Sequence, residues 1–178
     1  MEIEYEDEED DYEDEYETYA DRSSPPRTLK RTLGLLNGTY QVRSFDIEDQ
    51  WEHAVPPGGL TMCLRLHGNA MWGSYNFGAF EGVIFMPERP MRPSFETIPF
   101  EWRGRETGED QIDYGEDCQG WIQFLGDGDI VGEINCLGDL KFRGQRISGN
   151  ETNSVWTGAE FQAEWDEIEQ EAVGGGYW

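Results

Sequence analysis

An all-β, mainly antiparallel fold is what this chain predicts: a meander of seven or eight strands curling into a lipocalin-like barrel, with one C-terminal helix outside it. Three observations carry that expectation. From Leu36 to Ile147 apolar and polar residues alternate with a period near two, the pattern of half-buried strands. Glycines such as Gly73, Gly78 and Gly82 recur inside the aromatic segments, where they suit bulges, bends or close backbone approach. Only after Thr157 does the period change to that of a helix. Closure is favoured over an open meander because it leaves no exposed sheet edge, and the glycines inside strands supply the bends it requires. A two-layer β-sandwich is the alternative.

The elements follow in order. Gly38 to Arg43 reads as a first strand. Leu60 to His67 sets Met62, Leu64 and Leu66 against Cys63, Arg65 and His67, and Gly68-Asn69 turns the chain. Met71 to Met86 continues with Trp72, Tyr75, Phe77, Phe80 and Phe85, broken by its glycines. Four prolines make 87–99 a loop. Phe100 to Glu106 is another strand, and 107–117 an acidic loop. Gly120 to Leu125 and Ile130 to Ile134 flank Gly126-Asp127-Gly128-Asp129, a hairpin whose Asp-Gly suits turn positions of positive φ. Leu140 to Ile147 is the last strand. Thr157 and Glu160 have the spacing of a capping box, and Phe161, Trp165, Ile168 and Ala172 then share one helical face over 157–173 before three glycines.

Three regions result: an acidic segment over 1–21, a linker over 22–35, and a single domain over 36–178. The first twenty-one residues hold thirteen Asp or Glu, four Tyr and no Lys, Arg or His. Like charges repel, and so few apolar groups do not offset the entropy of ordering, which predicts disorder there. The linker turns basic and carries Pro25-Pro26.

Charge excludes some partners. Of the net charge of −25, 13 lie on residues 1–21, leaving 25 − 13 = 12 excess acids on the remainder. Nucleic-acid phosphates and anionic membranes need Lys and Arg, so neither is expected as a direct partner, whereas basic proteins and peptides are favoured. Neither a secretory signal nor a membrane-length apolar run is visible. Cys63, Cys118 and Cys136 are odd in number and widely spaced, which reads as reduced thiols in an intracellular protein, cytoplasmic or nuclear.

Trp72-Gly-Ser-Tyr-Asn-Phe-Gly78 with Glu81-Gly82, Phe100-Glu-Trp-Arg-Gly-Arg-Glu106 with Gly108-Glu109, and Gly120-Trp-Ile-Gln-Phe-Leu-Gly-Asp-Gly128 resemble blocks that occur in the same order in a group of uncharacterised filamentous-fungal proteins. The likeness covers residues 36–170. It implies one domain and a fungal origin. That group has no assigned activity, so it carries no site over.

No catalytic motif is present: neither a Gly-x-Ser-x-Gly elbow, a phosphate-binding loop nor a dinucleotide fingerprint. His53 and His67 lack the companions of a zinc site, so neither metal nor cofactor is expected. Asp127 and Asp129 are explained by turn chemistry, and the acids of the 106–117 loop by solvation. The strongest site-like feature is cationic. Arg103 and Arg105 lie two apart and so share a sheet face, with Arg143 on a strand of similar Arg-Gly pattern. Pointing inward, these three would meet an anionic ligand between the aromatic walls Trp72, Tyr75, Trp102 and Trp121. Pointing outward, the reading preferred here, they pair with Glu101, Glu106 and the acidic loop. In the other candidate site, Tyr5, Tyr12, Tyr16 and Tyr19 anchor the acidic segment on a basic groove.

Two functions are therefore carried forward. The first is a non-enzymatic interaction module whose acidic Tyr-bearing segment engages a basic protein. The alternative is a small-molecule-binding barrel, of the kind that hosts isomerases and cyclases, taking an anionic or aromatic ligand.

Overall fold

The computed structural model describes residues 28–109, 111–147 and 156–174. The expectations for the acidic segment, its four tyrosines and most of the linker lie outside these residues. The described chain is a closed eight-stranded antiparallel barrel with a helix on its outer wall.

The strands are β1 (Gly38–Arg43), β2 (Leu60–His67), β3 (Ala70–Asn76), β4 (Phe80–Met86), β5 (Ile98–Glu106), β6 (Ile112–Asp113), β7 (Gln119–Gly126), β8 (Asp129–Ile134) and β9 (Leu140–Arg146). Neighbours run β4-β3-β2-β1-β9-β8-β7-β5, and β4 pairs with β5 to close the circle. The two-residue β6 lies beside β5 on the rim, opposite Gly104 and Arg105. The expected meander is thus present and the sandwich is not. A helix missed from the sequence, α1 (Phe45–Gln50), follows β1 and runs into a 3-10 turn at Glu52–Ala54. Its signal was Ser44, whose hydroxyl accepts from Ile47 N at 3.3 Å, followed by Asp46 and Glu48 in the first turn.

Alternation decides what each side chain faces. Tyr40, Val42, Met62, Leu64, Met71, Tyr75, Ile84, Phe100, Trp102, Ile122, Phe124 and Phe142 belong to one buried cluster inside the barrel. Aromatic rings cluster in the part of the interior nearer α1. Phe77, fully buried between β3 and β4, lies 5.2 Å from Tyr75, 5.9 Å from Phe80 and 5.5 Å from Phe142, centroid to centroid. The strand glycines make room for such rings. A Cβ on Gly132 would stand 2.5 Å from the Phe142 ring, so the backbone itself forms the floor under it. At the closing seam Gly82 faces Gly104. A side chain at Gly82 would strike the Arg103 carbonyl, so the seam tolerates nothing larger than hydrogen.

Both mouths are covered. At one end α1 buries Ile47, and Trp51 packs edge-on against Phe80 at 6.1 Å. Ser44 Oγ donates to the Lys141 carbonyl at 2.6 Å, tying this cap to β9. At the other end the 28–36 arm runs along the β7–β8 hairpin, where Lys30 N donates to the Leu125 carbonyl at 2.8 Å. The 87–97 loop lies beside it, with Ser94 N donating to the Phe124 carbonyl at 3.0 Å and Gln123 Nε2 to the Phe95 carbonyl at 2.8 Å. The hairpin has the expected turn: Asp127 and Gly128 both hold positive φ, at 49° and 81°.

Phe77 is the test of this interior. Phe77→Ala should cost about 3–5 kcal/mol in urea unfolding, because three rings lose their common neighbour. A loss below about 1 kcal/mol would mean that these rings are not packed as described.

Candidate functional site

Helix α2 (Gly158–Gly174) lies on the outer wall of the barrel. It realises the expected capping box: Thr157 N donates to Glu160 Oε2 at 2.6 Å, and Glu160 N to Thr157 Oγ1 at 3.3 Å. The backbone bond from Thr157, and then its hydroxyl, hold the Glu160 carboxyl below its ordinary range. Phe161, Trp165 and Ile168 are the buried residues of the helix. They form a second apolar cluster with outward Trp72 and Val83, joined at its margin by Cys63, Phe85 and Ile112. Trp165 meets Trp72 at 5.7 Å and Phe85 at 6.4 Å, both edge-to-face.

Two arginines frame this contact. The Arg103 guanidinium lies 4.2 Å above the Trp165 ring, donates to the Trp165 carbonyl at 2.9 Å and reaches Glu169 at 3.0 Å. Arg105 reaches Glu171 at 2.9 Å and Glu164 at 3.2 Å. Its bond to Glu171, with a smaller share from Glu164, pushes its pKa up against the opposing effect of partial burial. Beside these pairs is an open cleft of about 260 Å³, lined by Thr61, Cys63, Ser74, Asn76, Arg105, Trp156 and Glu164 among others.

The arginines are thus outward and ion-paired, as preferred from the sequence, but their partners are the helical acids. Among the described residues neither Glu101 nor Glu106 pairs with them. A strand and a helix sixty residues apart gave no local signal of that encounter.

The other candidates are scattered. Trp72 is outside, under α2, while Tyr75 and Trp102 are inside. The Tyr75 hydroxyl is buried without a hydrogen-bond partner among the described residues. Burial, reinforced by Cys136 and Cys118, holds it well above the ordinary phenol range. Trp102 Nε1 donates to Asn135 Oδ1 at 2.9 Å. Trp121 is half-buried on the outer face of β7, opposite Glu133. Arg143 is exposed on the outside of β9, opposite Arg43 of β1. Of these seven residues only Tyr75 and Arg105 line the outer cleft, so they form no common pocket. Among the described residues no three metal-ligating side chains converge. No described helix is long and apolar enough to cross a membrane.

Comparison with models of known protein families, with curated proteins and with solved structures finds no match to this chain.

Cys118 and Cys136 are buried at one end of the interior. Burial, aided by Asp113, pushes the Cys118 thiol up to about 11, and burial pushes Cys136 up as well. At neutral pH both are thiols and not nucleophilic thiolates.

Two measurements check this geometry. Ellman's reagent on native protein should leave Cys118 and Cys136 unreacted until denaturant is added; prompt labelling of either would contradict their burial. A depressed carboxylate stabilises above its unfolded pKa, and that stability is lost as pH falls through the folded one. The cap therefore weakens in acid below the ordinary Glu range. Glu160→Gln should lose that part of the acid-induced fall in far-UV ellipticity. An unchanged profile would exclude the cap as its origin.

Proposed function

We propose that this protein is a non-enzymatic interaction module whose acidic, Tyr-bearing segment over 1–21 engages a basic protein or peptide. The observation that carries the reading is an apolar barrel interior with both mouths covered. Rings crowd the interior beneath α1, and the mouths are covered by α1 and by the 28–36 arm with the 87–97 loop. Recognition is then left to the exterior, and the exterior chemistry is anionic. Of thirty-eight acids against thirteen Lys and Arg, thirteen acids are concentrated in the first twenty-one residues. Such a polyanion attracts cationic partners over about a Debye length, and its tyrosines add contact area once the partner is close. Three unpaired cysteines, two of them buried, are consistent with a reducing intracellular setting.

The ligand-binding alternative has the outer cleft as its best support. At about 260 Å³ and open to solvent, that cleft falls short of the several hundred cubic ångströms of an ordinary ligand pocket. Its cation, Arg105, already has two carboxylate partners. Both facts favour the interaction reading.

Fluorescence anisotropy with a Lys/Arg-rich peptide tests it. Deleting residues 1–21 should weaken binding by about tenfold or more. Raising salt from about 0.05 M to about 0.5 M should weaken the full chain similarly. Capture of the same peptide by the truncated chain at high salt would refute it.

A further inference from the structure

We infer that the outer wall beneath α2 is a receptor for acidic amphipathic helices, and that α2 is its built-in, displaceable occupant. The partner it fits is a helix of another protein with aromatic residues at i and i+4, an aliphatic at i+7 and carboxylates flanking that stripe. The inference is independent of what the 1–21 segment binds.

The wall is a site in its own right. Its apolar patch is separate from the barrel interior, so removing α2 opens no sheet edge and leaves the ring-packed core intact. What it would uncover is Trp72, Val83, Phe85 and Cys63, with Arg103 and Arg105 alongside. Among the described residues, every carboxylate paired with those two arginines belongs to α2. An aromatic patch bordered by two guanidiniums whose ion-pair partners, among the described residues, leave with the helix is a docking surface for an anion-bearing helix, even with Glu81 across the strand from Arg105.

The occupant is held thinly. Seventeen residues are anchored by three buried side chains. The helix carries Glu160, Glu164, Asp166, Glu167, Glu169 and Glu171 and no base. Acids near its C-terminal end oppose the macrodipole, and neighbouring carboxylates repel one another. The pairs with Arg103 and Arg105 relieve part of that repulsion, but Glu169 and Glu171 remain about half exposed and open to screening. Tethering compensates: an attached helix acts at an effective concentration on the order of 1 mM. A free helix reaches only the fraction of molecules whose α2 is undocked, and its apparent affinity falls by that fraction.

The test uses the full chain and a fluorescein-labelled peptide of residues 156–174. Trp165→Ala in the protein loosens its own helix, and the peptide should then bind roughly tenfold or more tightly than to the unaltered chain. Glu169→Arg, which breaks the Arg103 pair without touching a buried group, provides a second opened form and should act in the same direction. Cys63, at the edge of the contact, reports on both: maleimide should label it faster in the opened forms, and added peptide should slow that labelling again. Combining Trp165→Ala with Arg103→Glu and Arg105→Glu should abolish peptide binding. The proposal is overturned if either opened form, with its near-UV spectrum retained, fails to bind the peptide. It is equally overturned if a peptide of residues 1–21 protects Cys63 as well as the helical peptide does, since recognition would then be of charge alone.

Discussion

Hydrogen bonding between β4 and β5 closes the sheet, and nearly everything else in this structure follows from that seam. Strand backbones approach there across Gly82 and Gly104, where no side chain has room. Closure gives eight strands a finite interior, and the aromatic content of the chain decides how that space is used. Phe77 meets Tyr75, Phe80 and Phe142, so buried rings take up the part of that interior nearer α1. Glycine and ring are complementary here: a missing Cβ on one strand is the space occupied by a phenyl group on the next.

With its mouths covered, the barrel presents its chemistry on the outside. One mouth is sealed by α1, the other by the 28–36 arm and the 87–97 loop, and one face of the wall by α2. The arginines most suggestive of an anion site serve this last seal. Their charge is spent on helical carboxylates, and Arg103 also stacks on the indole it helps to bury. The charge pattern of the molecule is thereby uneven in a useful way. Acids dominate its sequence, and the strongest cationic feature of its wall is covered by one of its own acidic helices.

Much of the architecture was legible from local pattern. The period of two, the Asp-Gly hairpin and the Thr157–Glu160 box each act over a few residues, so each survives in sequence as a local signature. α1 was missed because six residues carry too little periodicity, and only the Ser44 cap announced it. The 71–86 stretch proved to be two strands with Phe77 at their corner, a turn its run of aromatics concealed. The division of the candidate site residues was harder still. Spacing put Arg103 and Arg105 on one face, but which face was inside depended on closure. That their partners would be Glu164, Glu169 and Glu171 depended on where a helix sixty residues away came to rest. Tertiary encounters of that range leave no short-range trace.

Native-state hydrogen exchange measured at two salt concentrations addresses the central claim most directly. Amides of Val83, Ile84 and Phe85 at the closing seam should exchange only through global unfolding, whereas those of α2 should exchange through a smaller opening that salt makes more frequent. Rapid exchange at the seam would mean an open sheet. Exchange of helix and barrel with one common free energy would mean that the helix is integral to the fold and not a separately docked cover.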